Sequence, residues 1–539
     1  MKISFPVASL GHVRHGAWLL AIVLLAMAPK VARASDHAGA HALVLQQSTK
    51  RRTKAPRKTA KPSPKRPPTP AKAAVRYTTP RGVPALYTDL ATILASRTHG
   101  GSWGALVVSL TRGDTLFSDN ADQPYVPAST MKLFTTALAL EKLGPDHTFS
   151  TDVLRDGPLE KDGVVQGNLY VRGDGDPSLS SRFVKGGPSA PMDMLAQLTS
   201  AAGVTKVTGD LVADASAFES RNIPEGWLSR YAGSAYAAPF SALSLNENVV
   251  VVSITPGNTG SSATVVLEPA TDGMTVTNTV RTVAGTGVRV SSRRISNDRV
   301  IVSGTIGSKA GQRRYQLVVG DPVTFTAGAY RAALAAKGII VAGNIRVGPT
   351  PRTATIVTSM RSPPLARLVA LMNRESINHY AEMLWRDAAR GAERNVIGSA
   401  QTADSTLQQF LVRTVGVAPG SVTATDGSGL SVLDRVTPRA MVQLLSHAHN
   451  AAWSSAFHAS LPVAGESELL RRRMKFTPAQ GNLHAKTGTT NAVIGLSGYV
   501  TAEDGEILAF AFLYNGSDRF AARATIDEMG PTMAGFSRD

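Results

Sequence analysis

The sequence predicts a mixed α/β (α+β) protein of more than one domain, on three observations. The globular stretch beginning at Tyr77 is too long to close around a single hydrophobic core. Toward both of its ends, short apolar runs alternate with segments at helical spacing. Between Val249 and Ala329 the pattern becomes predominantly β, with branched runs separated by Gly- and Asn-containing turns, as in a small sandwich.

The chain first reports where it works. Lys2, Arg14 and His15 precede the apolar run Ala17–Ala28, and Ala32-Arg33-Ala34 supplies a small-x-small site, so residues 1–34 read as a signal peptide. Lys30 and Arg33 beside that site leave an uncleaved anchor as the alternative. With 0 cysteines, a lipidated cysteine, disulfides and thiolate metal sites are all excluded. The expected location is outside the cytoplasm, periplasmic or associated with the cell wall.

Residues 35–76 form a basic, Pro- and Lys-rich linker. From Lys50 to Arg76 there is no acidic residue and almost nothing apolar larger than alanine, so the segment cannot bury a core. Most of the chain's net charge of +18 lies here rather than in the folded body. A nucleic-acid role is disfavoured for an exported protein. Peripheral attraction to anionic membrane or wall polymers is the functional reading of the charge, and a solvated spacer the plain one.

In the body, Gly101–Leu110 reads as a strand, Arg112-Gly113-Asp114 as a turn and Thr115–Ser118 as the returning strand. This hairpin leads into Pro127-Ala128-Ser129-Thr130-Met131-Lys132 at the start of a helix that Gly144-Pro145 stops. Residues i and i+3 share a helix face, so Ser129 and Lys132 point the same way. A serine hydroxyl needs a neighbouring base, and a lysine serves if burial and nearby cations lower its pKa. Alone this motif is weak, since about two chance matches are expected in a chain this long. Residues 151–248 mix short strands with turns, including a strand that ends at Gly173-Asp174-Gly175-Asp176-Pro177 and a pair around Gly209-Asp210. Helical spacing returns at Tyr330–Ala336. Ile339–Val341 and Asn344–Val347 follow as strands, and 365–390, 401–412 and 438–447 read as helices. Ile494–Val500 and Ile507–Tyr514 look like central strands.

Two further elements carry chemistry. Ser376-Ile377-Asn378 sets a hydroxyl and an amide two residues apart between helical segments, where they can bridge toward the base and bind a substrate amide. Ser244-Leu245-Asn246 has the same spacing but runs straight into a valine strand, so Ser376 is preferred. His484-Ala485-Lys486-Thr487-Gly488-Thr489 reads as an edge strand whose Gly488 lets a substrate backbone approach. Lys486 offers a cation, Thr487 and Thr489 hydroxyls, and the Thr489 N–H a donor to an oxyanion. In this order the three elements make a strong joint signal.

With these motifs the chain resembles the D-alanyl-D-alanine carboxypeptidase/endopeptidases of peptidase family S13, the class C low-molecular-mass penicillin-binding proteins. The resemblance covers nearly all of residues 85–539. It extends to Gly167-Asn168-Leu169-Tyr170, Gly175–Leu179, Gly226-Trp227, Tyr236–Pro239, Ser241–Leu243, Asn246–Asn248 and Asp426–Ser431. The long separation of Ser129 from Ser376 leaves plain β-lactamases behind, whereas this family inserts two extra domains there. The resemblance thus implies a transpeptidase-like core with an antiparallel sheet and flanking helices, made of residues 77–150 and 350–539. Within it would lie domain II (151–248 and 330–349) and a β domain III (249–329).

It also implies roles. Ser129 attacks the carbonyl between the last two D-alanines of a peptidoglycan stem peptide, and Lys132 is the general base. Ser129 and Thr489 N–H groups form the oxyanion hole, and Ser376 relays a proton to the leaving amine. Lys486 supports that relay, Asn378 and Thr487 position the peptide, and Thr489 helps hold the terminal carboxylate. β-Lactams would acylate Ser129 as covalent inhibitors, and cross-link cleavage is a companion activity. No cofactor and no metal is implied: there is no His-Glu-x-x-His, His447 and His449 fall at a helix end, and Asp174 and Asp176 read as a turn.

Two departures stand out. Several family members carry an aspartate about where Tyr231 lies, leaving Glu219 and Glu225 as the nearest acids. The Arg and Asn usual after Asp-Gly-Ser-Gly-Leu-Ser are Val432 and Asp434, and Asp434 with Arg435 suggests a local ion pair. The competing readings are a serine β-lactamase or esterase, or a catalytically silent wall-binding protein, on the same core.

Overall fold

The computed structural model describes residues 75–98, 100–391 and 396–539. The signal-like segment 1–34 and nearly all of the basic segment 35–76 lie outside the described residues. Among the described residues no helix is long and apolar enough to cross a membrane.

The three sequence motifs gather around a five-stranded antiparallel sheet. Its order is His484–Thr489, Val493–Thr501, Ile507–Asn515, Ser102–Ser109, Thr115–Asp119. The two strands next to the His484 edge are buried almost throughout, which is why they read as unbroken apolar runs. Side chains alternate across a sheet, so each strand feeds two cores. Tyr499, Ala509 and Ala511 face the helices Lys132–Leu143, Leu365–Glu375, Asn378–Arg390 and Pro438–Asn450. Ala485, Leu496, Phe510 and Phe512 face the helices Val83–Arg97 and Arg519–Ala534. Phe510 and Phe512 are fully buried, and each contributes roughly 2 kcal/mol relative to an exposed ring. Because Ala485 points to the second core, Lys486 points to the first.

Between Ser150 and Arg361 the chain builds a separate core. A mixed five-stranded sheet runs Ile345–Val347, Leu211–Asp214, Leu169–Gly173, Ser150–Arg155, Thr355–Arg361. Two three-stranded sheets, one of Thr275–Val283, Arg299–Gly307 and Val288–Arg294 and one of Arg313–Val318, Val249–Thr255 and Thr264–Glu268, share a buried cluster with it.

The sequence reading missed some of this. Ala190–Ala201 is a helix within the stretch read as strands and turns, with Pro191 at its start and Met192, Leu195, Ala196 and Thr199 buried. Thr275–Val283 escaped notice because Thr and Asn dilute its apolar alternation. The helical stretch 365–390 is two helices, and the break between them falls at Ser376, as expected from the placement of Ser376 between helical segments.

Candidate active site

The serine turn owes its shape to its backbone. Ala128 adopts φ 47°, and Ala128–Met131 then form one 3₁₀ turn before the α-helix begins at Lys132. In a 3₁₀ turn residues i and i+3 eclipse, so Lys132 stacks directly over Ser129. The Thr130 hydroxyl donates to the Pro127 carbonyl at 2.7 Å and stiffens the bend. Two glycines let other segments close on it. Gly429 has φ +79°, and a Cβ there would overlap the Ala128 carbonyl. A Cβ on Gly488 would come to 2.6 Å from the Pro127 oxygen. Gly488 thus admits the serine turn against the edge strand, a neighbour the sequence did not name.

Lys132 is fully buried, with its Nζ 3.1 Å from Ser129 Oγ. It also donates to Asn378 Oδ1 at 2.6 Å and to the Ser428 carbonyl at 2.7 Å. Burial pulls its pKa down to about 8, against the opposing pull of the buried carboxyl groups of Asp426, Glu382 and Asp434. A neutral amine has two N–H bonds and one lone pair. The Asn378 and Ser428 oxygens occupy the two N–H bonds, which leaves the lone pair for the Ser129 hydroxyl.

Ser376 ends the helix Leu365–Glu375 in the left-handed region, at φ 59°, with its N–H on the Met372 carbonyl. A non-glycine residue held there stores backbone strain, here at a position that presents its hydroxyl to the cleft. Lys486 Nζ donates to Ser376 Oγ at 3.0 Å and to the Thr487 carbonyl at 2.8 Å. Lys486 is also fully buried, and burial together with the Lys132 charge holds its pKa well below the usual lysine range. Asn378 opens the next helix, and its Nδ2 donates to the Tyr236 carbonyl at 2.8 Å.

The structure therefore brings Ser129, Lys132 and Asn378 into direct contact and couples Ser376 to Lys486. Thr487 is nearly buried and Thr489 exposed on the same edge strand. The alternative pair stays apart: Ser244 donates to Ser241 O, and Asn246 holds Pro188 and Ser181 in the inserted part.

Sequence reasoning did not assign roles to the loop Asp426–Ser431 or to Glu382. Asp426 Oδ1 accepts the N–H of Ser428 and Gly429, while its Oδ2 accepts from Ser431 N–H and the Trp227 indole. This buried carboxylate fixes the carbonyl on which Lys132 rests. The signal was present as a glycine-rich Asp-Gly-Ser-Gly stretch, but nothing in it names a carbonyl as the functional atom. Among the described residues, the suggested Asp434–Arg435 ion pair does not form. Arg435 donates to the Val432 and Asp434 carbonyls, and the buried Asp434 carboxyl accepts from Thr425 and Asp426 N–H. Of the two acids near Tyr231, Glu219 is tied to Arg386 and to Ala400 N–H, and Glu225 is exposed.

The chain is similar to known D-alanyl-D-alanine carboxypeptidases. The chain is 33% identical over 455 residues to a D-alanyl-D-alanine carboxypeptidase of Actinomadura sp. (strain R39), covering 81% of this chain and 82% of that one. It is 25% identical to the D-alanyl-D-alanine carboxypeptidase DacB of Haemophilus influenzae, over 78% of this chain and 86% of the relative. The crystal structure of penicillin binding protein 4 (dacB) from Haemophilus influenzae superposes with a TM-score of 0.70 at 22% identity, covering 81% of this chain and 98% of that one. A second structure of that protein, complexed with a novel β-lactam, superposes at 0.65, covering 82% and 97% at 22% identity. These likenesses show the penicillin-binding-protein fold with its inserted domains. Residues 86–534 match the model of the D-Ala-D-Ala carboxypeptidase 3 (S13) family, and the chain belongs to that family.

Proposed function

We propose that this serine-type D-alanyl-D-alanine carboxypeptidase trims peptidoglycan stem peptides through an acyl-enzyme on Ser129. The observation that carries the reading is the Lys132 amine, with two fixed acceptors for its N–H bonds and Ser129 Oγ at 3.1 Å. Lys132 takes the hydroxyl proton as Ser129 Oγ bonds to the carbonyl carbon of the penultimate D-alanine. The N–H groups of Ser129 and Thr489 hold the oxyanion. As the C–N bond breaks, Ser376, coupled to Lys486, passes a proton to the departing D-alanine amine. Asn378 and Thr487 position the peptide, Gly488 lets the edge strand close on the serine turn, and Thr489 helps hold the terminal carboxylate. Water then adds to the ester carbonyl and regenerates Ser129.

Cleavage of D-alanyl cross-links belongs to the same proposal. So does acylation by β-lactams, which the β-lactam complex of the Haemophilus influenzae protein supports. We assign catalysis to residues 77–150 and 350–539, domain II to 151–248 and 330–349, and domain III to 249–329. The separate buried clusters support the first of these divisions. Export by residues 1–34, and attraction of the basic linker to anionic membrane or wall polymers, complete the proposal.

The test is intact-mass analysis of wild type and Ser129→Ala after exposure to a labelled penicillin and to defined muropeptides. One adduct on wild type, none on the variant, and loss of terminal D-alanine are expected. An adduct on Ser129→Ala would move the nucleophile elsewhere, and rapid penicillin turnover would make the protein a β-lactamase.

A further inference from the structure

On the sheet face away from the catalytic cleft, the loop Arg471-Arg472-Arg473-Met474-Lys475-Phe476 lies along the helix Arg519–Ala534. Two of its side chains are anchors. Arg473 pairs with Asp527 at 2.6 Å, and buried Met474 fills the space beside Gly530. Between these anchors and Gln480, whose Oε1 accepts the Phe476 N–H at 2.8 Å, the chain passes through φ 53° at Met474 and 60° at Phe476. Backbone in that region is strained for such residues. The outcome is a fixed loop with the Phe476 ring 92% exposed.

The helix continues the same surface. Phe520, Arg523, Asp527 and Gly530 recur at i, i+3, i+7 and i+10, one stripe of the helix. The loop covers its C-terminal half and leaves Phe520, 75% exposed, beneath the Arg519 guanidinium at 4.9 Å. Arg471, Arg472, Lys475 and Arg523 are exposed, and among the described residues none of these or Arg519 pairs with a carboxylate. On the helix, Asp527 is held by Arg473, Glu528 by Arg97, and Asp518 accepts the Ala521 N–H, while Glu466 and Glu468 just before the loop are exposed. The chain also enters the body here, with Thr78 N–H on Thr532 of the same helix, directly after the basic segment.

We propose that this face, with Phe476 and Phe520 ringed by Arg471, Arg472, Lys475, Arg519 and Arg523, is a docking surface for an anionic lipid bilayer. A hydrated anionic polymer would satisfy the cations and give the rings nothing. A bilayer interface places anionic head groups above an apolar layer, which matches protruding aromatic rings bordered by cations. Docked this way, the protein turns its catalytic cleft away from the membrane.

The absence of cysteine makes a direct test available. In the full chain, Phe476→Cys carries an environment-sensitive NBD label, and Thr286→Cys in the inserted part carries the same label as a control. Mixed phosphatidylglycerol/phosphatidylcholine vesicles should blue-shift and brighten the label at 476, leave the one at 286 unchanged, and have no effect at either when made of phosphatidylcholine alone. Combined Phe476→Ser and Phe520→Ser should weaken vesicle binding about tenfold at a salt concentration that screens the basic segment, with penicillin acylation unchanged. An unresponsive label at 476, equal responses at both positions, the same response to soluble poly(glycerol phosphate), or vesicle binding indifferent to the two serines would each overturn the proposal.

Discussion

Lys132 Nζ and Asn378 Oδ1 lie 2.6 Å apart although 246 positions separate them in the chain. The whole inserted part of the protein loops out between these two atoms. Their contact joins the helix that follows Ser129 to the helix that starts just after Ser376, so the alignment of the proposed base depends on the packing of those two helices. Asn378 in turn donates to the Tyr236 carbonyl, which ties the base to a segment of the insertion.

Replacing Asn378 should therefore damage acylation more than stability. Asn378→Leu removes the acceptor at Lys132 and lets the amine rotate off Ser129 Oγ. We expect acylation by labelled penicillin to fall about 100-fold, the loss of roughly 3 kcal/mol carried by a charged or ionisable hydrogen bond. Asn378→Asp should fail differently. A carboxylate at that distance favours the ammonium form, so its acylation should recover as pH rises while that of Asn378→Leu stays low. Acylation rates across pH for the two variants check this.

The wild-type pH profile follows from the same amine. Burial lowers the Lys132 pKa to about 8 from the ordinary value of 10.5, and only the neutral form can accept the Ser129 proton. Below pH 8 each unit of acidification should cut the acylation rate about tenfold, and the rate should level above it. Lys132→Arg should show no such limb, because a guanidinium does not deprotonate in this range. Stopped-flow acylation from pH 5.5 to 9.5 would reveal the inflection.

How much of this was legible in the sequence differs by residue. Ser129, Lys132, Ser376, Asn378 and Lys486 could be picked out because each carries a reactive or polar side chain at a recognisable spacing, and the structure brings Lys132 to Ser129 and Asn378, and Lys486 to Ser376. The central strands Val493–Thr501 and Ile507–Asn515 were legible as apolar runs because both faces of their sheet are buried. The Ser428 and Tyr236 carbonyls were not, since every residue carries a carbonyl and only tertiary packing makes one special. Gly488 was noticed, but its contact with the serine turn was not: a glycine announces a close approach but not which segment comes near. Asp434 was noticed as unusual and given a partner adjacent in sequence, while burial turned its carboxyl toward backbone N–H groups instead.

Gly429 offers a test of the close packing. Its φ of +79° disfavours any side chain, and a methyl there would run into the Ala128 carbonyl. Gly429→Ala should lower stability by about 2–4 kcal/mol, within the range of overpacking plus backbone strain, and should abolish acylation in whatever fraction stays folded. Thermal unfolding with penicillin labelling of the soluble protein separates the two effects. Near-normal labelling would mean that the serine turn tolerates displacement.

Asp434 supplies the last prediction. Its side chain is fully buried, and burial together with neighbouring Asp426 holds its carboxyl well above the ordinary value of 3.8. The folded state therefore keeps a proton that the unfolded chain releases once the pH passes about 4. Between that point and the folded pKa the native state binds more protons than the unfolded state, so this residue's contribution to stability falls as pH rises, by up to about 1.4 kcal/mol per unit. Asn at this position keeps an oxygen for the Thr425 and Asp426 N–H groups and has no proton to lose. Asp434→Asn should thus match wild type near pH 4 and become progressively more stable than it toward pH 8. Denaturant unfolding of both proteins at several pH values measures the difference, and parallel curves would show that Asp434 stays ionised in the folded protein.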